Sequence, residues 1–235
     1  MVKKILILLF SFMINLFCFS QEYSVEILGI SVAEIKQTLN RDSVIYRIET
    51  DGLIDLFYPL ENTYYSIFDP KDYGIIEFSK EIDERDLKTK RSAIKDSLNF
   101  FKYSSSETVK LNENTKTIFT LLSMIQNVSF LEIDTKWFSF EHETQAGRAR
   151  FLWADSSNVW DGIDSIICDH YRLDIEIMES GDQNFKETDV FMKNIIKEEV
   201  TREFWVSKEE PKRIIQSVVK NENYPLPLFI KIKSK

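Results

Sequence analysis

The chain contains few of the residues that carry covalent and metal chemistry. Its 235 residues include two cysteines, two histidines, six glycines and five prolines. Cys18 lies in an N-terminal run that we predict to be removed, so Cys168 alone would remain, which excludes a disulfide framework. No Pro- or Gly-rich linker, internal repeat or low-complexity tract divides the rest. We therefore predict a single β-rich domain, residues 21–235, that is stabilised by packing.

The first twenty residues have the pattern of a cleaved signal peptide. Two lysines near the start precede an almost continuous apolar run from Ile5 to Phe19. Cys18 and Ser20 are small residues at the −3 and −1 positions of a cleavage site before Gln21. The run is shorter than the ~20 residues that a spanning helix needs. We predict an exported protein, periplasmic or secreted, with no transmembrane span in the mature chain.

Two alternatives for the N-terminus are less favoured. Lipidation of Cys18 is disfavoured because Phe17 stands where a lipidation signal needs a small residue. A retained N-terminal anchor is disfavoured because polar residues follow at once from Gln21.

The charge balance argues against nucleic acid as a partner. Cleavage would leave 28 of the 30 basic residues against 38 acidic ones, a formal charge of −10. Acidic and basic residues are interspersed along the chain, which is typical of a solvated surface. Phosphate binding needs clustered positive charge instead.

Asn114 to Asn127 is the one long amphipathic helix that the sequence predicts, with Asn112 or Asn114 as its N-cap. Only Thr120, Ser123 and Asn127 form a polar strip. The apolar residues spread over roughly 220° of the circumference; they are Ile118, Phe119, Leu121, Leu122, Met124, Ile125 and Val128. A helix on an open sheet needs a stripe of only about 100°. We therefore expect this helix to be enclosed from more than one side.

The rest of the chain alternates in the manner of β-strands. Gly29 would mark a bulge in a long first strand, and Gly52 to Leu56 is ambiguous. The predicted strands are 22–40, 43–50, 62–68, 73–82, 87–98, 136–143, 148–154, 164–179, 200–207, 213–219 and 226–232, with short uncertain ones at 100–103 and 108–111. The predicted fold is mainly β (α+β): a curved antiparallel sheet or half-barrel of about ten strands around one central amphipathic helix.

Three segments of this chain resemble an uncharacterised family of exported bacterial proteins, domain of unknown function 3108. They are IYRIETDGLIDLFYPLENTYYSIFDPKDYGIIEFSKEIDE (Ile45 to Glu84), the helix TIFTLLSMIQN, and REFWVSKEEPKRIIQSVVKNENYPLPLFIKI (Arg202 to Ile232). The resemblance implies a curved antiparallel sheet similar to periplasmic carriers of lipoproteins or lipids. Gln126 and Asn127 depart from the family, which often has a charged residue, usually arginine, there. The family implies no catalytic residues.

Cys168 and His170 are the nearest approach to a reactive pair, since residues two apart on a strand share a face. A Cys–His nucleophile needs a stabilised thiolate and an oxyanion site. No glycine-rich turn or helix start lies beside them, and Arg172 and Asp174 share their face. We interpret the pair as ordinary polar surface and predict no catalytic residues.

Metal and sugar sites have weaker support. A zinc site would need His142 and His170 together, with Glu141 or Glu143, and these residues lack the spacing of a metal motif. We predict no metal and no cofactor. The four tryptophans could stack on sugar rings, but aromatic strand residues are usually core or cross-strand pairs; they are Trp137, Trp153, Trp160 and Trp205.

Two functional hypotheses remain open. In the first, the sheet and helix enclose an apolar cavity for a lipid or another hydrophobic ligand. Its predicted wall residues are Phe119, Leu122, Ile125, Trp137, Trp153 and Trp205. In the second, the protein has a solid core and binds an envelope protein through an exposed face or a sheet edge. An enzyme ranks third.

Overall fold

The computed structural model describes residues 19–179, 189–221 and 226–233. These residues form one antiparallel sheet of 14 strands that is curved but not closed into a barrel. The strands are β1 Phe19–Ile27, β2 Ile30–Leu39, β3 Ser43–Thr50, β4 Leu60–Phe68, β5 Ile75–Glu84, β6 Leu87–Lys95, β7 Phe100–Tyr103, β8 Thr108–Lys110, β9 Trp137–His142, β10 Gln145–Trp160, β11 Ser165–Glu179, β12 Val200–Ser207, β13 Ile214–Asn221 and β14 Leu228–Ile232. Four short helices accompany them in the described ranges: α1 Gly52–Phe57, α2 Ile118–Ile125, α3 Phe130–Ile133 and α4 Val190–Ile195.

The sheet is an antiparallel meander in which the first strand, β1, and the last, β14, lie side by side in the middle. Its order is β8-β7-β6-β5-β4-β3-β2-β1-β14-β13-β12-β11-β10-β9. Strands that follow each other in sequence pair, except β8 and β9, which form the two edges. In addition β1 pairs with β14, in register from Tyr23 with Ile232 to Ile27 with Leu228. The mainly β class and the curved antiparallel sheet are confirmed. The expected count of about ten strands is too low.

The first expected strand is in fact two. β1 and β2 form a hairpin in which Ile27 pairs with Ile30, and Leu28 and Gly29 both have positive φ, 53° and 78°. Two positive φ values in a two-residue loop match the right-handed twist of the flanking strands. Gly29 therefore marks a turn and not the expected bulge.

The predicted signal peptide lies almost wholly outside the described residues. Only Phe19 and Ser20 are described, and they pair with Leu39 and Thr38 at the start of β1. No helix in the described ranges has the length and apolarity of a bilayer-crossing segment; the longest, α2, has eight residues.

Helix α2 is shorter than the expected span of 114–127, and Thr117 is its N-cap instead of Asn112 or Asn114. Thr117 and Thr120 form a capping box, in which each side chain accepts a hydrogen bond from the main-chain N–H of the other. The preceding residues cannot be helical because they bond to strands. Ile75 N–H donates to Thr115 O at 2.8 Å, and Lys116 N–H donates to Ser139 O at 2.8 Å.

The concave side of the sheet encloses α2. The Phe119 ring lies 5.3 Å from Tyr46, 4.9 Å from Tyr64 and 6.3 Å from Phe78, centroid to centroid. These three residues belong to β3, β4 and β5, so the sheet wraps around this side of the helix. Ser123, which was expected in a polar strip, is also buried, and its Oγ donates to Phe119 O at 3.0 Å. Three other short helices accompany α2 in the described residues, so the prediction of one central helix alone is wrong.

Candidate functional site

An apolar cavity of about 80 Å³ lies inside the curved sheet, between α2 and α4. Its walls come from both helices and from β1–β3 and β12–β14. The lining residues are Tyr23, Ile35, Tyr46, Ile118, Phe119, Leu122, Phe191, Ile195, Arg202, Phe204, Ile214, Ser217, Val219 and Ile230. The cavity is partly open, and several lining side chains keep accessible surface; these are Leu122, Phe191, Ile195, Val219 and Ile230.

Helix α4 forms one wall and is fixed at its N-terminus by a buried ion pair. Its N-cap, Asp189, accepts hydrogen bonds from Met192 N–H at 2.8 Å and from Tyr64 OH at 2.7 Å. The other oxygen of Asp189 lies 2.9 Å from Lys80 Nζ, which also binds Glu143. All three charged side chains are buried. Because a buried ion pair is costly to break, this contact holds α4 against β4 and β5.

Arg202 of β12 fixes the other end of α4. Its Nε–H and one Nη2–H donate to Ile195 O and Lys197 O, and Nη1–H donates to Val200 O at 2.7 Å. Main-chain carbonyls at a helix C-terminus lack partners within the helix, and basic side chains commonly bind them. Arg202 is only 1% exposed, and desolvation by burial lowers the pKa of its guanidinium to about 10.

The two open edges of the sheet approach each other beside these contacts. Lys116, which follows β8 in the chain, lies against the β9 edge, because its N–H and O bond to Ser139 and Glu141 of β9. Glu141 is 2% exposed and accepts hydrogen bonds from Tyr103 OH of β7 and from Thr144 N–H. Burial, the largest cause, raises the pKa of Glu141 to about 7.

The predicted wall residues separate into two groups. Phe119 and Leu122 line the cavity, whereas Ile125 is buried outside its lining. The three tryptophans do not line it. Trp137 stacks against Arg148 and Arg150, with its ring 4.2 and 4.5 Å from their guanidinium carbons.

The other two tryptophans also pair with neighbouring side chains. Trp205 stacks on His170 across β11 and β12, with centroids 4.2 Å apart and planes 7° apart. Trp153 stacks on Phe130 of α3 at 5.1 Å, and its Nε1–H donates to Asp169 Oδ1 at 3.0 Å.

Cys168 and His170 are not the exposed polar pair that the sequence suggested. Cys168 has 0% exposure, while its neighbour Ile167 is 58% exposed. A register shift on β10 lies opposite this part of β11, and such irregularities change the local twist. Desolvation by burial raises the pKa of the Cys168 thiol to about 12. This opposes thiolate formation at neutral pH.

Histidine and acidic residues do not converge on a metal geometry in the part of the chain that is described. His142 ends β9, whereas His170 lies on β11 beside Trp205. The Nδ1 and Nε2 atoms of His170 each lie 3.6 Å from a carboxylate oxygen, of Asp155 and Glu203 respectively. The two carboxylates thus face different nitrogens of the ring.

Sequence reasoning missed the charged residues at inward strand positions. Lys80 lies between Phe78 and Ile82 on the inward face of β5, and Arg202 lies between Val200 and Phe204 on that of β12. A single charged residue at an apolar position of an alternating strand is a usable signal for a buried ion pair or cap.

Gln126 belongs to a second buried polar network, at the opposite end of α2 from Thr117. Its Oε1 accepts from Gln21 Nε2 at 2.7 Å, and the same nitrogen donates to Gln37 Oε1 at 3.0 Å. Gln37 Nε2 donates in turn to Tyr46 OH at 2.7 Å. A neutral amide suits this position because all of these partners are neutral.

No family model matches the chain, and no curated protein matches it. A solved structure covers most of it: the beta-barrel-like protein of domain of unknown function DUF1849 from Brucella abortus, with a TM-score of 0.60, 9% identity, and coverage of 93% of this chain and 97% of that one. The fold is beta-barrel-like. A DUF1089 family protein from Pseudomonas aeruginosa is similar at a TM-score of 0.41 and 11% identity, covering 79% of this chain and 89% of that one.

At this identity the first likeness shows the fold alone. It agrees with the curved β fold that the resemblance to domain of unknown function 3108 implied. Because no family model matches, membership of that family stays a prediction.

Proposed function

We propose that this protein is a non-catalytic binding protein that holds the end of an apolar chain, such as the acyl chain of a lipid, between α2 and α4. The observation that carries the proposal is the partly open cavity with almost entirely apolar walls. Apolar ligand sites are concave, and a few polar groups orient the ligand. The predicted export signal would direct the protein to the cell envelope, where lipids are abundant.

The volume limits what the cavity takes without rearrangement. About 80 Å³ is less than the ~150 Å³ of an engineered apolar cavity that binds benzene, and less than the ~300 Å³ of the smallest typical ligand pockets. The cavity therefore suits the end of one chain, with the remainder passing the half-exposed wall residues.

Isothermal titration calorimetry with decan-1-ol tests the proposal, because this ligand has the apolar chain and no charge. We expect saturable binding to the wild type. Leu122→Trp would fill the cavity with an indole ring. Binding should weaken at least about tenfold, because a loss of ~1.4 kcal/mol of binding free energy already has that effect. Ile195→Trp, on α4, fills the same cavity from the other side.

Ile94→Trp is the matched control, because Ile94 is 55% exposed on β6 and does not line the cavity. This variant should bind as the wild type does. Circular dichroism establishes that each variant is folded. Absence of saturable decan-1-ol binding to the wild type, or undiminished binding by both cavity-filling variants, would refute the proposal.

A second candidate function is docking to an envelope protein through α1. None of its six residues is buried, and Leu53, Leu56 and Phe57 are 75%, 76% and 72% exposed. Exposed apolar clusters of this kind are common at interaction sites. Cross-linking in intact cells should capture one partner with the wild type and lose it with Leu56→Asp; equal capture would exclude α1 as the docking site.

A further inference from the structure

Strand β10 has a free edge near the tip of the β10–β11 hairpin. Its pairing with β11 continues to Trp160, whereas its pairing with β9 on the other side ends at Arg150. Asp134 covers this other side as far as Trp153, whose N–H donates to Asp134 Oδ1 at 2.8 Å. Over residues 155–160, no described strand pairs with this side of β10.

Three other edges of the described sheet are guarded in ways that prevent pairing with another chain. β6 is unpaired on its β7 side over residues 87–91, and this stretch, LKTKR, contains three basic residues. β8 has only three residues, and the main chain of Lys116 occupies the free side of β9. Residues 155–160 of β10, DSSNVW, contain no lysine, arginine or proline. This edge is therefore open to another strand.

Apolar side chains are exposed at both ends of this edge. Trp160 is 64% exposed, and Ile163 in the hairpin turn is 57% exposed. At the opposite end lies α3, because Phe130 stacks on Trp153. Leu131 of α3 is 77% exposed. Apolar side chains exposed in groups are common at interaction sites.

We propose that two copies of this chain pair through residues 155–160 of β10, as antiparallel strands about a two-fold axis at Ser157. Most homo-oligomers are symmetric, and a two-fold dimer uses the same surface on both copies. The pair would extend each sheet and give the outward main-chain groups of both edges hydrogen-bond partners.

The sequence of the edge suits itself in this register. A two-fold axis perpendicular to the sheet keeps each face of the sheet continuous across the pair, so the axis must pass through a residue. Centred on Ser157, the pairing places Asp155 opposite Val159 of the second copy. Centred on Asn158, it would place Asp155 opposite Asp161, and like charges directly opposite each other destabilise a sheet. The self-complementarity favours a second copy over an unrelated strand.

Sedimentation velocity tests the pairing on protein that is expressed with its own N-terminus and purified as the cell processes it. The strand pair is short, so we expect a reversible monomer–dimer equilibrium over ~1–200 µM, the weak end of the affinities of protein interfaces. Ser157→Lys would place two ammonium groups opposite each other at the axis and should weaken association at least about tenfold.

Thr108→Lys is the matched control, because Thr108 is exposed on the other edge strand, β8. This variant should associate as the wild type does. A wild type that stays monomeric over the whole range, or equal association of the two lysine variants, would overturn the proposal.

Disulfide cross-linking tests the register. Ser157 lies opposite Cys168 on β11, so each cysteine variant also carries Cys168→Ala. Across the axis the two Ser157 Cα atoms would be ~4.5–5.5 Å apart, which a disulfide can span. Ser156 would lie diagonal to its counterpart, with Cα atoms more than ~7 Å apart, too far for a disulfide.

Ser157→Cys should therefore form a covalent dimer in air, seen on a non-reducing gel, and Ser156→Cys should not exceed the level of Cys168→Ala alone. Cross-linking of Ser156→Cys alone, or of neither variant, would overturn the register. If Cys168→Ala does not fold, the sedimentation of the wild type and the two lysine variants decides.

Discussion

Replacement of Glu141 by glutamine should make the protein more stable at neutral and alkaline pH. Glu141 is a buried carboxyl group that accepts hydrogen bonds from Tyr103 OH and Thr144 N–H, and no cation lies within 4 Å of it among the described residues. Burial raises its pKa from 4.5 to about 7. Glutamine has nearly the same shape, keeps an oxygen acceptor and carries no charge.

The sign of the effect follows from the two pKa values. Below pH 4.5 Glu141 is protonated in the folded and unfolded states alike. Between pH 4.5 and 7 the unfolded chain releases the proton and the folded protein retains it, so the stabilisation is lost as pH rises. Above pH 7 both states are ionised and the loss is complete.

The magnitude comes from the same difference. A rise from 4.5 to about 7 corresponds to about 3 kcal/mol at ~1.4 kcal/mol per unit of pKa. Relative to the wild type, the glutamine variant should therefore gain about 3 kcal/mol in free energy of unfolding between pH 4.5 and pH 8.

Urea denaturation of both proteins at pH 4.5, 6 and 8, followed by tryptophan fluorescence, measures this gain. Glu143→Gln is the control, because Glu143 binds Lys80 and Arg91 and its replacement should destabilise the protein by ~3 kcal/mol or more. A difference between Glu141→Gln and the wild type that is the same at pH 4.5 and pH 8 would refute the reasoning.

Two further predictions concern buried groups. Lys80→Met leaves two buried carboxylates without their lysine and should lower the free energy of unfolding, measured in urea, by about 3–5 kcal/mol. The control Lys90→Met, which removes an exposed side chain of β6, should change it by less than about 0.5 kcal/mol. Equal effects of the two substitutions would contradict the importance of the ion pair. Cys168, with 0% exposure and a thiol pKa of about 12, should resist a thiol-specific disulfide reagent at pH 8 in the native protein and react in urea; rapid native reaction would contradict its burial.

Alternation in the sequence predicts most of the sheet because one face of each strand is buried. β3, β4 and β12 lie close to where periodicity placed them. The helices α1, α3 and α4 have six, four and six residues, too few for a helical period to emerge. The hairpin at Leu28 was missed because leucine is rarely found at positive φ.

The candidate site was predictable only where burial alone decides. Phe119 and Leu122 follow from the apolar face of α2. The alternation of apolar and polar residues separates the two faces of a strand but does not show which face lies on the concave side of the sheet. Trp137 lies on a face where its ring stacks with arginine side chains. Trp205 shares its strand face with Glu203 and could have been placed outside the cavity. The ion pair of Lys80 with Asp189 joins residues 109 apart in sequence, which no local pattern reveals.

The pairing of β1 with β14 places the first and the last described strands side by side in the middle of a continuous meander. Lys231 Nζ lies 2.8 Å from Glu26 Oε2 although the two residues are 205 apart in sequence. The strand pairing that joins the two halves of the sheet cannot form before the last strand has been synthesised, and such distant pairings slow folding. A circular permutant that starts at β9, joins β14 to β1 and ends with β8, α2 and α3 would have all strand pairs between sequence neighbours. Its first strand would lie at the open β9 edge, and the same strand pairs would form from a chain of lower contact order.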